Sequence, residues 1–149
     1  MKKLMILGAS YSQLPLYKKA HEMGLATIAV STPGDWPGFK QADECSYTDI
    51  TDPVKVLEAA RKLGADGITT CCLDAGVRAI GYTCERLGLK GLSEKAADIS
   101  NDKFKMKEAF MHGGVSCARH VCIRSREELE NALEDFNYPV VVKAVDLMG

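Results

Sequence analysis

Short apolar runs alternate with helical patterns from the N-terminus onward, and this alternation limits the possible folds more than any other feature of the chain. The runs LMILGA, ATIAVS and DGITTCC are each followed, directly or after a loop, by apolar residues at helical spacing and a glycine. Continuous apolar runs of this length are typical of parallel strands buried on both faces. The order β-α-β-α-β-α therefore predicts an α/β fold with a Rossmann-like, doubly wound parallel sheet.

Capping residues mark where these helices are expected to begin and end. Ser12 is a predicted N-cap of the first helix, Pro15 lies in its first turn and Gly24 ends it. Asp52 is the predicted N-cap of the second helix, and Gly64 ends it. Two Pro-Gly turns in TPGDWPGFKQADECSYTDITD predict that this stretch is a loop, and LKG after the third helix predicts the stub of a fourth strand.

The pattern changes after the third helix. SEKAADISNDKFKMKEAFMHGG predicts two helical segments, with Asn101 or Asp102 capping the second. CARHVCI and YPVVVKAV then predict two strands, and SREELENALEDF between them predicts a helix with a capping box from Ser125 and Glu128. This part is expected to be a helical connector followed by the opening β-α-β of another domain.

We therefore predict a Rossmann-like domain over residues 1–95, and a connector with the truncated start of a second domain over residues 96–149. A chain of 149 residues suffices for one ordinary domain and a piece of another. The net charge of -1 gives no support for binding nucleic acid or an anionic membrane, and no apolar stretch approaches the length of a transmembrane helix. The six cysteines form no CxxC pair and no zinc spacing, which predicts free thiols in a reducing cytoplasm and no metal site.

GASYSQLP follows the first strand, where a dinucleotide-binding loop would lie. Ser10 and Gln13 occupy the places of the second and third glycines of that fingerprint, and the second strand ends at Ser31 without an acidic residue. A nicotinamide or flavin site is therefore not favoured. Backbone N–H groups at such a loop still attract anions, and Ser10, Ser12 and Gln13 are candidate hydrogen-bonding partners of a small substrate. The alternative is an ordinary βα turn with a cap.

Two lysines in the C-terminal part are candidate anion contacts. Lys103 stands near the start of the second connector helix, and Lys143 stands inside the last predicted strand. Period two places Lys143 on the same face as Val141 and Val145, where an ammonium group is costly unless it faces solvent or an anion. Taken singly, each lysine is better explained as a solvated surface cation, and more so Lys103, whose helix also carries Lys105 and Lys107.

These features follow the order found in the ATP-grasp family. GASYSQLPLYKKAHEMG and ADECSYTDITDP resemble the Rossmann-like domain that precedes the ATP-grasp domain. LGLKGLSEKAADISNDKFKMKEAF and YPVVVKAVD resemble the connector and the start of the ATP-grasp domain itself. The resemblance covers essentially the whole chain, and the pair of lysines is its specific part. The family includes biotin carboxylase and the large subunit of carbamoyl-phosphate synthetase.

The resemblance implies an ATP-dependent ligase. Such enzymes use ATP and Mg²⁺ to activate a carboxylate as an acyl phosphate, which an amine or similar nucleophile then attacks. Lys103 and Lys143 match the family's two lysines that contact ATP phosphates, and Met148 and Gly149 match the start of its glycine-rich loop. Ala144 stands where many members have proline.

The family's adenine-binding residues and acidic Mg²⁺ ligands come later than the last residue of this chain. We therefore assign no catalytic or metal-binding residue, and expect the chain alone to be inactive and to bind ATP weakly. The expected partners are ATP and a small carboxylate substrate, with no nucleic acid and no membrane. An unpaired edge on the last predicted strand makes a homodimer possible.

Two other functions stay open. The first is a stand-alone Rossmann-like module that binds a small metabolite without catalysis, with Asp74 in the loop after the third strand as a ligand contact or a helix cap. The second is an interaction role, in which the edge of the last strand recruits a partner chain that completes an ATP site. Binding of a metabolite without ATP dependence favours the first, and co-purification of a partner favours the second.

Overall fold

The computed structural model describes residues 1–145, and within them it has four strands, six α-helices and three short 3-10 helices. The strands are β1 (Lys3–Leu7), β2 (Ala26–Ser31), β3 (Glu44–Tyr47) and β4 (Gly67–Thr69). The α-helices are α1 (Leu14–Glu22), α2 (Pro53–Leu63), α3 (Val77–Leu87), α4 (Glu94–Asn101), α5 (Lys103–His112) and α6 (Arg126–Glu134). The 3-10 helices are Tyr11–Gln13, Pro37–Lys40 and Asp74–Gly76.

By its internal contacts the chain divides into a first unit, Met1–Asp98, and a second unit from Ile99 onward. The first unit holds the whole sheet, in the order β3-β2-β1-β4 with every pair parallel. Met5 of β1, at the centre, is level with Ile28 of β2 and Ile68 of β4. The predicted parallel α/β fold is therefore confirmed.

The fourth strand is not where the sequence predicted it. LKG, at residues 89–91, forms no strand, and β3 lies inside the segment that was predicted to be a loop. β3 is a short edge strand that pairs only with β2 among the described strands, with Cys45 level with Ala29. Its sequence ECSY has only half-buried or exposed residues, so it carries no apolar run that would reveal a strand.

Helices pack on both faces of the sheet, as a doubly wound fold requires. Met5 and Leu7 point to one face, and they join a buried cluster with residues of α2 and α3. Ile6 points to the opposite face and packs with Ala29 and with Tyr17 of α1. Successive strand residues alternate between faces, so each short apolar strand supplies both cores.

Most predicted helix ends are confirmed. The Asp52 side chain accepts hydrogen bonds from the backbone N–H groups of Val54 and Lys55, each at 3.1 Å, and Gly64 ends α2 with φ +67°. The N-cap predicted for the first helix is wrong. Ser12 lies inside the 3-10 helix that precedes α1, and Ser10 stands before that turn.

The second unit departs further from the sequence prediction. The strands predicted over residues 117–123 and 138–145 do not form in the described part of the chain, and of the β-α-β only helix α6 is present. Val121 and Val141 are 52% and 77% exposed. A strand exists only when a neighbour accepts and donates its backbone hydrogen bonds, and neither segment pairs with another strand among residues 1–145.

Capping in the second unit follows the predicted residues with one change. Asp102 is the N-cap of α5, where its carboxylate accepts from two backbone N–H groups at 2.9 Å. Ser125 Oγ accepts from the backbone N–H of Glu128 at 3.1 Å, as expected for a capping box. The Glu128 carboxylate, however, accepts from the N–H of Arg124 at 2.6 Å, one residue before the N-cap.

Candidate functional site

The candidate site lies at the carboxyl edge of the sheet, between β1 and β4. The chain leaves β1 for α1 on one face and leaves β4 for α3 on the other face. Such a reversal opens a crevice beyond the ends of the two strands, which is where open parallel sheets bind ligands. The loops after β1 and β4 therefore line the place where a ligand is expected in the first unit.

Gly8 begins the loop after β1 in a conformation that only glycine adopts readily. Its φ is +95°, and a Cβ atom at this position would lie 2.8 Å from Cδ2 of Leu73. The Gly8 N–H donates to the Val30 carbonyl at 2.8 Å, and its own carbonyl accepts from the Tyr17 hydroxyl at 2.8 Å. Burial raises the pKa of Tyr17, and the nearby Cys45 and Cys71 raise it further, so the phenol keeps the proton that it donates.

Gln13 fastens the loop after β1 to the loop after β4. Its side chain is 1% exposed, and its Oε1 accepts from the backbone N–H of Ser10 at 3.1 Å and from Ser10 Oγ at 2.6 Å. Its Nε2 donates to the Cys71 carbonyl at 2.6 Å. A buried amide is costly without partners, and here both ends of the amide are satisfied by the two loops.

Further contacts join the same segments. Thr70 Oγ1 donates to the Leu7 carbonyl at 2.7 Å, and Cys71 Sγ lies 3.3 Å from the Ser12 carbonyl. The loop after β2 joins them, because the Gly38 N–H donates to the Ala9 carbonyl at 2.7 Å. The carboxyl edge is thus built from three loops that hydrogen bond to one another.

The loop after β2 also carries Trp36 at this edge. The indole Nε1 donates to the Thr32 carbonyl at 3.0 Å, and the side chain is 40% exposed. Trp36 directly precedes the 3-10 helix that contains Gly38. The indole is therefore held in place by its own loop while much of its surface is open to solvent.

The four predicted substrate-binding residues all lie at this edge, but they differ in exposure and in hydrogen bonding. Ser10 is half-buried and bonded to Gln13, Ser12 is exposed, and the Gln13 amide is engaged within the protein. Asp74 is exposed and is the first residue of a 3-10 helix, whose cap position is Leu73. A substrate contact stays a prediction for each of the four. Among residues 1–145, no three His, Cys, Asp or Glu side chains are grouped to hold a metal ion.

The two predicted phosphate-binding lysines lie in the second unit. Lys103 is the first residue of α5, and its backbone N–H donates to the Val145 carbonyl at 2.9 Å. Lys143 is exposed and stands two residues before Val145, so this contact brings the segments that carry the two lysines together. Met148 and Gly149 lie outside the described residues. The role of these residues at ATP phosphates stays a prediction.

Sequence reasoning missed the contacts that shape the first-unit loops. Tyr17 fits the apolar face of α1, and that pattern gives no sign of the bond from its hydroxyl to Gly8. Thr70 lies in the predicted third strand and Gly38 in the predicted loop, and neither pattern indicates a hydrogen-bond partner. Gln13 and Cys71 are 58 positions apart, and only the fold brings them together. A glycine directly after a buried strand is the one signal that marked this edge in advance.

A second polar cluster lies at the opposite end of β2. Asp43 Oδ2 accepts from the Thr27 backbone N–H at 2.7 Å and lies 3.0 Å from His21 Nε2. These contacts, the Thr27 N–H foremost and then His21, lower the pKa of Asp43. Thr27 is the second residue of β2, so this cluster stands away from the carboxyl edge and serves to hold the start of the strand.

No protein-family model matches this chain. The structure is similar to that of phosphoribosylglycinamide synthetase from Anaerococcus prevotii, with 48% identity and a TM-score of 0.80 over 98% of this chain and 37% of that one. N5-carboxyaminoimidazole ribonucleotide synthetase from Thermotoga maritima is 25% identical, with a TM-score of 0.80 over 98% of this chain and 39% of that one.

The chain is also similar in sequence to a ligase. Alanine–anticapsin ligase from Bacillus subtilis is 34% identical over 89 residues, which are 60% of this chain and 19% of that protein. The biotin carboxylase domain of the Hydrogenobacter thermophilus 2-oxoglutarate carboxylase, solved with MgADP and bicarbonate, has a TM-score of 0.78 over 99% of this chain and 36% of that one. At 21% identity it shows the fold alone. The chain thus spans well under half the length of each of these proteins.

Proposed function

We propose that this chain, which by sequence and fold corresponds to the N-terminal part of ATP-grasp enzymes, forms part of an ATP-dependent ligase. The observation that supports the proposal most is the match along nearly the whole chain to the synthetase of Anaerococcus prevotii. That match covers both the loops after β1 and β4 in the first unit and helix α5 in the second unit. The matched proteins are by name two synthetases and a ligase, and none of them is matched along its full length.

The proposed reaction proceeds in two transfers. A carboxylate oxygen attacks the γ-phosphorus of ATP, which gives an acyl phosphate and ADP, and an amine then attacks the acyl carbon and expels phosphate. Mg²⁺ neutralises charge on the phosphates when it is bound. Lys103 and Lys143 are proposed to bind the ATP phosphates, because both are cations and the Lys103–Val145 backbone contact brings their segments together.

The crevice of the first unit is proposed to bind the second substrate. Its loops are fastened to each other by Gln13, so the site exists before any ligand arrives, which lowers the entropy cost of binding. Ser12 and Asp74 are exposed there and Ser10 is half-buried. The names of the two matched synthetases point to a ribonucleotide-type substrate, and that of the anticapsin ligase points to an amino acid. Both classes are therefore candidates for this chain.

The test uses the protein encoded by the complete reading frame. Phosphate release from ATP is expected only with both a carboxylate and an amine substrate. Lys103→Gln and Lys143→Gln are each expected to lower kcat about a hundredfold, because a phosphate cation is lost from a site that works by charge neutralisation. Lys105→Gln removes the same charge from the same helix and is the control. Equal rates in all three variants would overturn the assignment of the two lysines.

The 149 residues alone are proposed not to turn over, since they correspond to 37% of the matched synthetase. Phosphate release by this chain at the rate of the complete protein would contradict that part of the proposal. A cytoplasmic location, which fits the six free thiols, is part of the same proposal. The homodimer was expected from the edge of the last predicted strand, which does not form among residues 1–145, so the structure gives it no support.

A stand-alone binding module is the second candidate, and one observation favours it. Every hydrogen bond described between the crevice loops lies within the first unit, so a metabolite site would not need the second. Calorimetric titration of the 149-residue chain with amino acids and with phosphoribosylamines is combined with the phosphate-release assay of the complete protein. Tight binding without any phosphate release from ATP favours the module, whereas phosphate release that requires the bound metabolite favours the ligase.

A further inference from the structure

Two adjacent cysteines follow β4 on the loop that lines the crevice. Cys71 is half-buried and Cys72 is exposed, and both are free thiols. They stand directly after Thr70, which is bonded to the end of β1. Neither thiol has a part in the proposed ligase reaction.

The backbone at Cys72 departs from an extended strand. In an extended strand, neighbouring side chains point to opposite faces, which would hold two adjacent thiols apart. Cys72 has φ +52°, and it is the one residue other than glycine with a positive φ in residues 1–145. Burial raises the pKa of Cys71, and the neighbouring Cys72 raises it further through its charge and a hydrogen bond between the thiols. Cys71 and Cys72 are adjacent, and the positive φ of Cys72 takes the chain out of the extended conformation that would separate their thiols.

We propose that Cys71 and Cys72 form a dithiol modification site, which a low-molecular-weight disulfide such as oxidised glutathione converts reversibly to a vicinal disulfide. Closing that disulfide loosens the connection between the loops after β1 and β4. The site therefore couples the oxidation state of the surrounding thiol pool to the shape of the crevice.

The chemistry balances with the oxidant as the only added reactant. The exposed Cys72 thiolate attacks one sulfur of the oxidant, which forms a mixed disulfide and releases one thiolate. The Cys71 thiolate then attacks Sγ of Cys72, which forms the vicinal disulfide and releases the second thiolate. The two cysteines lose two protons and two electrons in total, and the oxidant is reduced to two thiols. Thiols reverse both steps, and the small ring that the bond closes is strained and therefore easily reduced.

The disulfide affects the connection between the loops after β1 and β4 because of the atoms that its ring contains. The peptide between Cys71 and Cys72 becomes part of the ring, and its carbonyl is the one that accepts from Nε2 of Gln13 at 2.6 Å. Closing the ring turns this peptide away from its present orientation. Oxidation also removes the Cys71 thiol proton, which ends the contact with the Ser12 carbonyl at 3.3 Å. Both links from the Cys71 residue to the loop after β1 are lost, while the bond from Thr70 to Leu7 stays.

The covalent part is tested by incubating the 149-residue chain with oxidised glutathione and mapping its peptides by mass spectrometry. The peptide that contains Cys71 and Cys72 is expected to lose two hydrogen atoms, to resist alkylation, and to recover both thiols after reduction. Cys71→Ser is expected to stop at a stable mixed disulfide on Cys72, because no second thiol resolves it. Cys117→Ser, which alters a half-buried thiol of the second unit, is the control and is expected to oxidise like the unaltered chain.

Two results would overturn the modification site. One is a mixed disulfide that persists on Cys72 in the unaltered chain, since it would show that Cys71 does not resolve it. The other is a pair that stays reduced while the remaining cysteines are oxidised. Because the mapping uses the unaltered chain, the outcome does not depend on whether a variant folds.

The coupling is tested by hydrogen exchange at the loop after β1. The Ser10 amide, which donates to Gln13 Oε1, is expected to exchange about tenfold faster after oxidation, and amides of α2 are expected to keep their rates. Cys71→Ser treated with the same oxidant controls for the effect of a bulky adduct. Exchange at Ser10 that is unchanged after the disulfide has formed would overturn the coupling.

Discussion

Gly8 is the residue whose replacement is expected to disturb the crevice most directly. Gly8→Ala combines a positive φ with a Cβ that meets Leu73 at 2.8 Å. Gly24 offers a matched control, since its φ is +72° but nothing lies within 4 Å of its Cβ position. We expect Gly24→Ala to lower the free energy of unfolding by about 1 kcal/mol and Gly8→Ala by about 2–4 kcal/mol. Urea denaturation measures both, and equal losses would show that the contact with Leu73 costs nothing.

Gln13 is expected to stabilise the fold by joining the loops after β1 and β4, whether or not it also contacts a substrate. Gln13→Ala leaves the Ser10 N–H and the Cys71 carbonyl without their partners, at a cost of about 2–4 kcal/mol in the free energy of unfolding. Ser12→Ala removes an exposed hydroxyl from the same loop and is expected to change it by less than about 0.5 kcal/mol. The midpoints of urea denaturation of the two variants measure this difference. Similar midpoints would mean that the Gln13 amide does not hold the two loops.

Asp43 gives the first unit a share of its dependence on pH. Its pKa is lower in the folded than in the unfolded chain, because the Thr27 N–H and then His21 favour the carboxylate. The resulting stability is fully present above the unfolded pKa of about 3.9, and it is lost as the pH falls through the lower folded value. Asp43→Asn is therefore expected to be less stable than the unaltered chain at pH 7 and closer to it at pH 3. A constant difference between the two pH values would contradict this.

Helix α2 is stabilised by its N-cap residue, Asp52. Asp52→Ala removes the acceptor of two backbone N–H groups and is expected to lower the free energy of unfolding by about 1 kcal/mol. Glu58→Ala, at an exposed position inside the same helix, is the control and is expected to change it little. Thermal unfolding followed by circular dichroism measures both. An equal loss in the two variants would show that Asp52 does not stabilise α2 as its N-cap.

At this scale, the sequence predicts helices better than strands. The caps of α2, α5 and α6 lie at Asp52, Asp102 and Ser125 because local hydrogen bonds, which depend on neighbouring residues, decide where a helix begins. Strands depend on a partner elsewhere in the chain. β3 was missed because an edge strand needs no apolar run, and YPVVVKAV was predicted wrongly because an apolar run without a partner forms no strand.

For the whole molecule, the alternation of elements is enough to predict the parallel sheet and the edge at which a site forms. Connections in such folds are right-handed, so the order of elements leaves few topologies. The particular contacts of the site are not predictable in this way. The bond from Gln13 to Cys71 joins residues 58 positions apart, and it depends on where two loops end up after the sheet has formed. The ATP-phosphate role of Lys103 and Lys143 came from resemblance alone and still awaits its test.

The two units are expected to differ in their ability to fold alone. The first unit contains both core clusters, whereas no residue of α5 or α6 is fully buried. A fragment of residues 1–98 is therefore expected to unfold cooperatively, and a fragment of residues 99–149 to show no cooperative transition. Calorimetry of the two fragments checks this. A sharp transition in the second fragment would show that it has a core of its own.

Trp36 is the single tryptophan of the chain, and it stands on the loop after β2 at the carboxyl edge. The hydrogen bond to the Thr32 carbonyl holds the indole in place. Because 40% of the side chain is exposed, its emission changes when its solvent environment changes. The protein consequently carries its own fluorophore at the carboxyl edge of the sheet, on the loop whose Gly38 N–H donates to Ala9 in the loop after β1. Intrinsic fluorescence can follow ligand binding and thiol oxidation there in unlabelled protein, with no background signal from any other indole.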